Sequence, residues 1–144
     1  MRPASARGSS RKLAVTPRFC DIDMMGVVHN SVYIQWFDEG RHQFVNEIVP
    51  VEDALQSGLA LVVVENTCKY KAPVRLGDTL MLITTHRRRE PHNGRFEFDH
   101  SLVHTRTKAI MAEGQSTLVP YDLNTHRLVN DVPEDIWARY LAMQ

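Results

Sequence analysis

Two carboxylates two residues apart, Asp21 and Asp23, stand in the run R-F-C-D-I-D-M-M-G-V-V-H-N-S-V-Y of residues 18–33, with Gly26 three residues past the second. His29-Asn30-Ser31 then opens an apolar helical pattern. A strand, a carboxylate-bearing turn and a helix start make a site-like arrangement. Asn30 or Ser31 is suited to cap the helix, because its side-chain oxygen accepts from first-turn amides that have no intrahelical partner. Those amides, with the roughly half positive charge of the helix macrodipole, can polarise a carbonyl or hold an oxyanion. Asp23 lies near that end, so carboxylate, turn and helix start form the expected site.

Other chemistries fit these residue types less well. An EF-hand loop starting at Asp21 would want an oxygen ligand at Met25 and a Glu at Val32, and both positions are apolar. A phosphatase with an aspartyl-phosphate also uses D-x-D after a strand, but needs a larger α/β domain than 144 residues provide. His100 and His104 have the spacing of a helical metal pair, yet they fall in a strand pattern, where roughly 3.3 Å per residue sets them about 13 Å apart. No metal site is expected. Arg87-Arg88-Arg89 at a strand end is a charge run of the kind that blunts strand pairing.

The elements that must position the site follow from periodicity. Val32, Tyr33, Trp36, Phe37, Phe44, Val45 and Ile48 recur at three-and-four spacing and predict a core helix over residues 31–48, stopped by Pro50. A first strand is expected over residues 13–20, interrupted by Pro17. Residues 1–12 are rich in Arg and Ser and hold no acid; Pro3 and Gly8 would break an amphipathic transit helix, so a flexible tail is expected. After a connecting turn over residues 51–58, strands are expected over residues 59–70, 79–89, 95–107 and 109–120, with Asn93-Gly94 as a hairpin turn. Residues 131–143 read as a short closing helix, with Glu134 and Asp135 in its first turn. This order predicts an α+β domain over residues 13–144, an antiparallel sheet around one long helix. Such a sheet leaves edges unpaired, which oligomerisation usually covers.

Composition excludes other classes. Formal net charge is zero, so no overall field draws the chain to nucleic acid or anionic membrane. Cys20 and Cys68 are too few for a disulfide framework and fit no zinc ribbon. No apolar run approaches the roughly 18 residues of a membrane span, and the start lacks the apolar centre of a signal peptide, so a cytoplasmic enzyme is expected.

On these residues the chain resembles the 4-hydroxybenzoyl-CoA thioesterase group of hotdog-fold acyl-CoA thioesterases. The shared pattern stands here as Asp21-Ile22-Asp23, Gly26-Val27-Val28, Asn30, Tyr33 and Trp36-Phe37-Asp38-Glu39-Gly40-Arg41, with Lys69-Tyr70-Lys71-Ala72-Pro73 and Leu76-Gly77-Asp78 as a second element. The resemblance implies a hotdog fold and hydrolysis of an acyl-CoA thioester without a cofactor. Asp23 would be nucleophile or general base, and an amide at or beside Asn30 would hold the thioester oxygen. His29, in place of the aromatic of some members, would assist or line the pocket. Gly26, Val27, Val28 and Tyr33 would meet the substrate, and Arg87, Arg88, Arg89 and Lys71 the CoA phosphates. Arg41 would pair with Asp38. The resemblance also implies a homodimer or homotetramer with sites at the subunit boundary. A thioesterase acting on carrier-protein thioesters and a non-catalytic acyl-CoA-binding module of the same fold are the alternatives.

Overall fold

The computed structural model describes residues 7–87 and 94–143. Along them run β1 (Arg7–Val15), a single 3-10 turn (Phe19–Asp21), α1 (Asn30–Ile48), α2 (Val51–Ser57), β2 (Leu59–Tyr70), β3 (Leu80–Arg87), β4 (Phe96–His104), β5 (Ile110–Asp122), β6 (Arg127–Leu128) and α3 (Glu134–Ala142). The strands form one antiparallel sheet in the order β1-β3-β4-β5-β2, with β6 paired to β5. One face of the sheet packs on α1, the α+β arrangement expected of a hotdog fold. The expected Asn-Gly hairpin turn lies outside the described residues apart from Gly94. No helix among the described residues is long and apolar enough to cross a membrane.

The start of the chain departs from expectation. β1 begins at Arg7, inside the stretch expected to be a flexible tail, and ends before Pro17. Hydrophobic alternation is blind to it because an edge strand needs only backbone pairing on one side, here from Ser10, Arg11 and Lys12 to Thr85, Thr84 and Ile83. Polar side chains then supply what apolar ones would. The Ser10 and Thr85 hydroxyls are 2.6 Å apart, and the Arg11 guanidinium lies 4.5 Å from the centroid of the Phe44 ring, an amphipathic cover on the core.

The face of α1 given by its apolar spacing is buried along its length. Near its start Val32, Tyr33, Trp36 and Phe37 pack with Leu80, Leu82 and Leu102; near its end Phe44 and Ile48 pack with Phe96, Phe98, Leu118 and the α3 residues Ile136 and Tyr140. Between the two apolar clusters runs a buried polar belt of Arg41, Thr84, His100 and Ser116. The expected Asp38–Arg41 pair forms at 2.5 Å, with the buried guanidinium reaching out to an exposed carboxylate.

Gly114 on β5 sets how closely β2 and α1 approach. A Cβ there would lie 2.3 Å from the Phe37 ring and 2.4 Å from the Thr67 carbonyl oxygen. The Thr67 backbone cannot retreat without opening the ladder in which Cys68 pairs with Gly114. Gly114→Ala is therefore expected to lower stability by about 1–3 kcal/mol. A urea titration would show a lower midpoint at unchanged slope.

Candidate active site

The segment between the 3-10 turn and α1 is a miniature antiparallel loop. Arg18 closes its base, donating to the Asp21 carboxylate from its main-chain N at 2.8 Å, from Nε at 3.3 Å and from Nη2 at 3.0 Å. Those hydrogen bonds hold the buried Asp21 carboxyl below the usual carboxylate range, against the opposing effect of burial. Asp21 thus hydrogen-bonds the turn, as its place in the pattern suggests. Its carbonyl accepts from the His29 N–H at 2.8 Å, Ile22 bridges to Val28, and the Asp23 N–H donates to the Val27 carbonyl at 2.8 Å. Gly26, at φ 78°, turns the tip of the loop back on itself.

Asp23 sits on that tip with its two oxygens in different states. Oδ1 accepts from the main-chain N–H of Met25 at 2.8 Å and of Val27 at 3.3 Å. Oδ2 has no partner among the described residues. One oxygen fixes the orientation of the carboxylate while the other is available to take a proton from water or to attack a carbonyl carbon.

The loop delivers the chain to α1, whose cap is His29 rather than Asn30 or Ser31. His29 Nδ1 accepts from the Ser31 N–H at 3.2 Å and lies 2.9 Å from Ser31 Oγ. His is not a favoured cap, but the bond from its own N–H to Asp21 holds it extended one residue before the helix, at φ −61° and ψ 141°. Because Nδ1 accepts, the ring proton is on Nε2. Asn30 becomes the first helical residue. Its N–H has no acceptor among the described residues, and its carbonyl accepts from the Tyr70 hydroxyl at 3.0 Å. An unpaired amide at the positive end of a 19-residue helix is a ready donor to a polarised oxygen.

The other expected residues fall into separate places. Val27 and Gly26 belong to the loop that carries Asp23. Val28 and Tyr33 are each 3% exposed and belong to the core cluster at the start of α1. Arg87 forms a fork with Asp99, Nε to Oδ2 at 2.7 Å and Nη2 to Oδ1 at 2.6 Å, and Lys71 Nζ lies 3.5 Å from Glu113. Arg88 and Arg89 lie outside the described residues. The chain has a concavity of about 740 Å³ on the sheet face turned away from α1, lined by Lys69, Thr85, Arg87, Asp99 and Glu113 among others; it includes none of Asp23, His29 and Asn30.

Among the described residues no three His, Cys, Asp or Glu side chains are grouped to hold a metal. His100 and His104 serve different neighbours: His104 Nε2 lies 3.3 Å from Asp78 Oδ1, while His100 belongs to the buried belt. Sequence reasoning missed Arg18 as the clamp on Asp21 and Tyr70 as the partner of Asn30. Arg18 had a signal in its spacing of three from Asp21; Tyr70, forty residues from Asn30, had none.

Proteins similar to this chain include thioesterases and proteins of unassigned function. The family model described as thioesterase-like superfamily matches residues 17–140. The chloroplastic acyl-acyl carrier protein thioesterase ATL3 of Arabidopsis thaliana is 30% identical over 122 residues, which are 84% of this chain and 62% of that protein. This chain thus spans about three-fifths of that relative's length. A hypothetical protein of Thermus thermophilus superposes with a TM-score of 0.76 at 25% identity over 92% of this chain and 98% of its own. A 1,4-dihydroxy-2-naphthoyl-CoA thioesterase from Synechocystis has the same fold, with a TM-score of 0.78 at 19% identity over 93% and 97% of the two chains. With a carboxylate on the turn, an open amide at the helix start and a family match that takes in both, the chain belongs to the thioesterase-like superfamily.

Proposed function

We propose that this protein hydrolyses an acyl-CoA thioester to the free carboxylic acid and CoA, with Asp23 carrying the chemistry. The observation that carries this reading is the Asp23 carboxylate, tethered by Oδ1 to the Met25 and Val27 amides and free at Oδ2, in the loop that ends at the unpaired Asn30 N–H. As general base, Oδ2 takes a proton from water as the water oxygen bonds to the thioester carbon. The carbonyl oxygen gains the negative charge and accepts from Asn30 N–H, and the C–S bond then breaks to release the CoA thiolate, which is protonated. As nucleophile, Oδ2 bonds to that carbon itself and CoA leaves; water then hydrolyses the mixed anhydride. His29, with Nδ1 occupied by its cap, has only Nε2 to offer the substrate.

A second copy of the chain completes the site in this reading, as a homodimer or homotetramer. β2 is an edge strand on which Val63 and Val64 are exposed, and beside Asp23 the side chains of Phe19, Met24 and Met25 stand almost wholly in solvent. Apolar residues so placed fit a partner surface or an acyl chain. Arg87, Arg88, Arg89 and Lys71 are the groups proposed for the CoA phosphates. Replacing Arg88 and Arg89 together by Ala is expected to raise KM for acyl-CoA about 5- to 20-fold with kcat unchanged, since each phosphate contact contributes uniform binding. The same variant should hydrolyse an acyl-pantetheine without the nucleotide at the parental efficiency.

A second reading is that the acyl group arrives on carrier protein, favoured by the 30% identity to a carrier-protein thioesterase. Thiol release from matched acyl-CoA and acyl-carrier-protein substrates decides between the two. Turnover of the CoA ester at higher kcat/KM supports the first; the reverse order replaces it with the second, and tight acyl-CoA binding with no turnover of either marks a binding module.

A further inference from the structure

We propose that Tyr70 is a positioning residue for the thioester carbonyl, holding the Asn30 residue so that its N–H stays aimed at the developing oxyanion. This rests on the reading of Asp23 and Asn30 as the site. Asn30 is the joint between loop and helix. The residue before it is fixed by His29 N–H to the Asp21 carbonyl, but its own N–H has no acceptor, and its side chain is exposed with no hydrogen-bond partner among the described residues. The contact that reaches Asn30 from another element is the Tyr70 hydroxyl, donating to its carbonyl at 3.0 Å. The Asn30 N–H lies in the peptide plane it shares with the His29 carbonyl, which accepts from Val32 N–H at 3.0 Å, and the Tyr70 bond holds the next plane at the same Cα, so both planes that meet at Asn30 are fixed.

Tyr70 is itself well anchored for such a task. It ends β2, pairing with Ala112 of β5, and its ring meets the ring of Tyr33 edge-on, centroids 4.8 Å apart at 89°. Tyr33 in turn lies 5.6 Å from Trp36 and is buried in the core. Ring and hydroxyl therefore grip the first turn of α1 at two points, one apolar and one polar. Burial, with the neighbouring Cys68, pushes the phenol up, so the donor proton stays in place at neutral pH. A donor to an oxyanion is effective only when it is oriented before the charge develops, and a displacement of about 1 Å in such a group can cost roughly 10²-fold in rate.

The test is Tyr70→Phe, which keeps the ring on Tyr33 and removes only the hydroxyl. Expected is a fall in kcat of about 10-fold or more with KM within about twofold, because the affected interaction strengthens in the transition state. The carbonyl stretch of an acyl-CoA bound to the Asp23→Asn variant supplies an independent signature: adding Tyr70→Phe should move the band back toward its position in free acyl-CoA. A parental kcat, or a slower variant whose band does not move, overturns the positioning role while Asp23-dependent turnover keeps the site intact. Absence of Asp23-dependent turnover in the parent protein overturns the site and the inference together. Thermal midpoints of both proteins guard against a folding defect; Tyr70→Trp, which keeps an aromatic ring and a donor, serves as the second variant if Tyr70→Phe does not fold, with restored kcat expected and an unrestored kcat counting against the proposal.

Discussion

Asp23→Asn is expected to lower kcat for thioester hydrolysis by roughly 10³-fold while leaving acyl-CoA binding within a few-fold of the parent. The substitution separates chemistry from architecture because the two oxygens have different partners. The asparagine side-chain oxygen can still accept from the Met25 and Val27 amides, so the loop and the cap that follows it are retained. The amide nitrogen that replaces Oδ2 is neither basic nor nucleophilic. Thiol release gives kcat, and calorimetric titration with a substrate that the variant cannot turn over gives the dissociation constant. A variant that hydrolyses acyl-CoA at the parental rate would remove Asp23 from the mechanism. In the active protein, a single turnover in ¹⁸O-water followed by mass spectrometry of the peptide holding Asp23 tests the nucleophilic route. Label in Asp23 requires the mixed anhydride; label confined to the product acid arises from general-base attack by water and equally from water opening the anhydride at its acyl carbon, which trapping of Asp23 as a hydroxamate by hydroxylamine tells apart.

The parts of this site that could be read from the sequence are those held by short-range pattern. The α1 face announced itself in the spacing of Val32, Tyr33, Trp36, Phe37 and Phe44, and all of these are buried. Asp21 lies in a turn clamp and Asp23 on its tip, a difference that the spacing of the two carboxylates does not carry and that only the resemblance pointed to. The cap was misplaced by one residue, since a side-chain preference for Asn or Ser was outweighed by a main-chain bond from His29 to Asp21. β1 was displaced for a related reason: Ser9, Ser10, Arg11 and Lys12 have no apolar alternation, and what makes them a strand is the open edge of β3. Tyr70 and Ser116 acquire their roles across 40 and 75 residues, to Asn30 and Arg41, and a single sequence carries no mark of such meetings.

The buried belt predicts how the fold responds to acid. His100 stacks on Phe37, centroids 4.4 Å apart and planes 5° from parallel, with Nδ1 3.0 Å from Thr84 Oγ1 and Nε2 2.9 Å from Ser116 Oγ. The Ser116 hydroxyl donates to Asn66 Oδ1 at 2.7 Å and accepts from Arg41 Nη1 at 3.0 Å, so its remaining lone pair takes the proton of Nε2, and Nδ1 accepts from Thr84. A second ring proton would face the Thr84 donor and sit in the field of the buried Arg41, whose charge Asp38 only partly offsets. Burial first and Arg41 second push the imidazole down to about 3. Its folded value lies below the unfolded one, so on acidification the unfolded chain binds the proton first. Stability should therefore fall between about pH 6.5 and about pH 3, at a limiting slope of about 1.4 kcal/mol per pH unit from this residue. Asp21, whose value is lowered by Arg18, loses its contribution only at the acid end, as the pH falls below the ordinary carboxylate range. His100→Gln retains a donor toward Ser116 and cannot titrate. It should be less stable than the parent at pH 8 by about 1–3 kcal/mol, for the lost Phe37 stacking and Thr84 bond, yet lose less on acidification. Urea unfolding at half-unit pH steps reads both curves. His86 and His104 are common to the two proteins and cancel in the difference, so parallel curves down to pH 4 would mean that His100 is not held neutral by this belt.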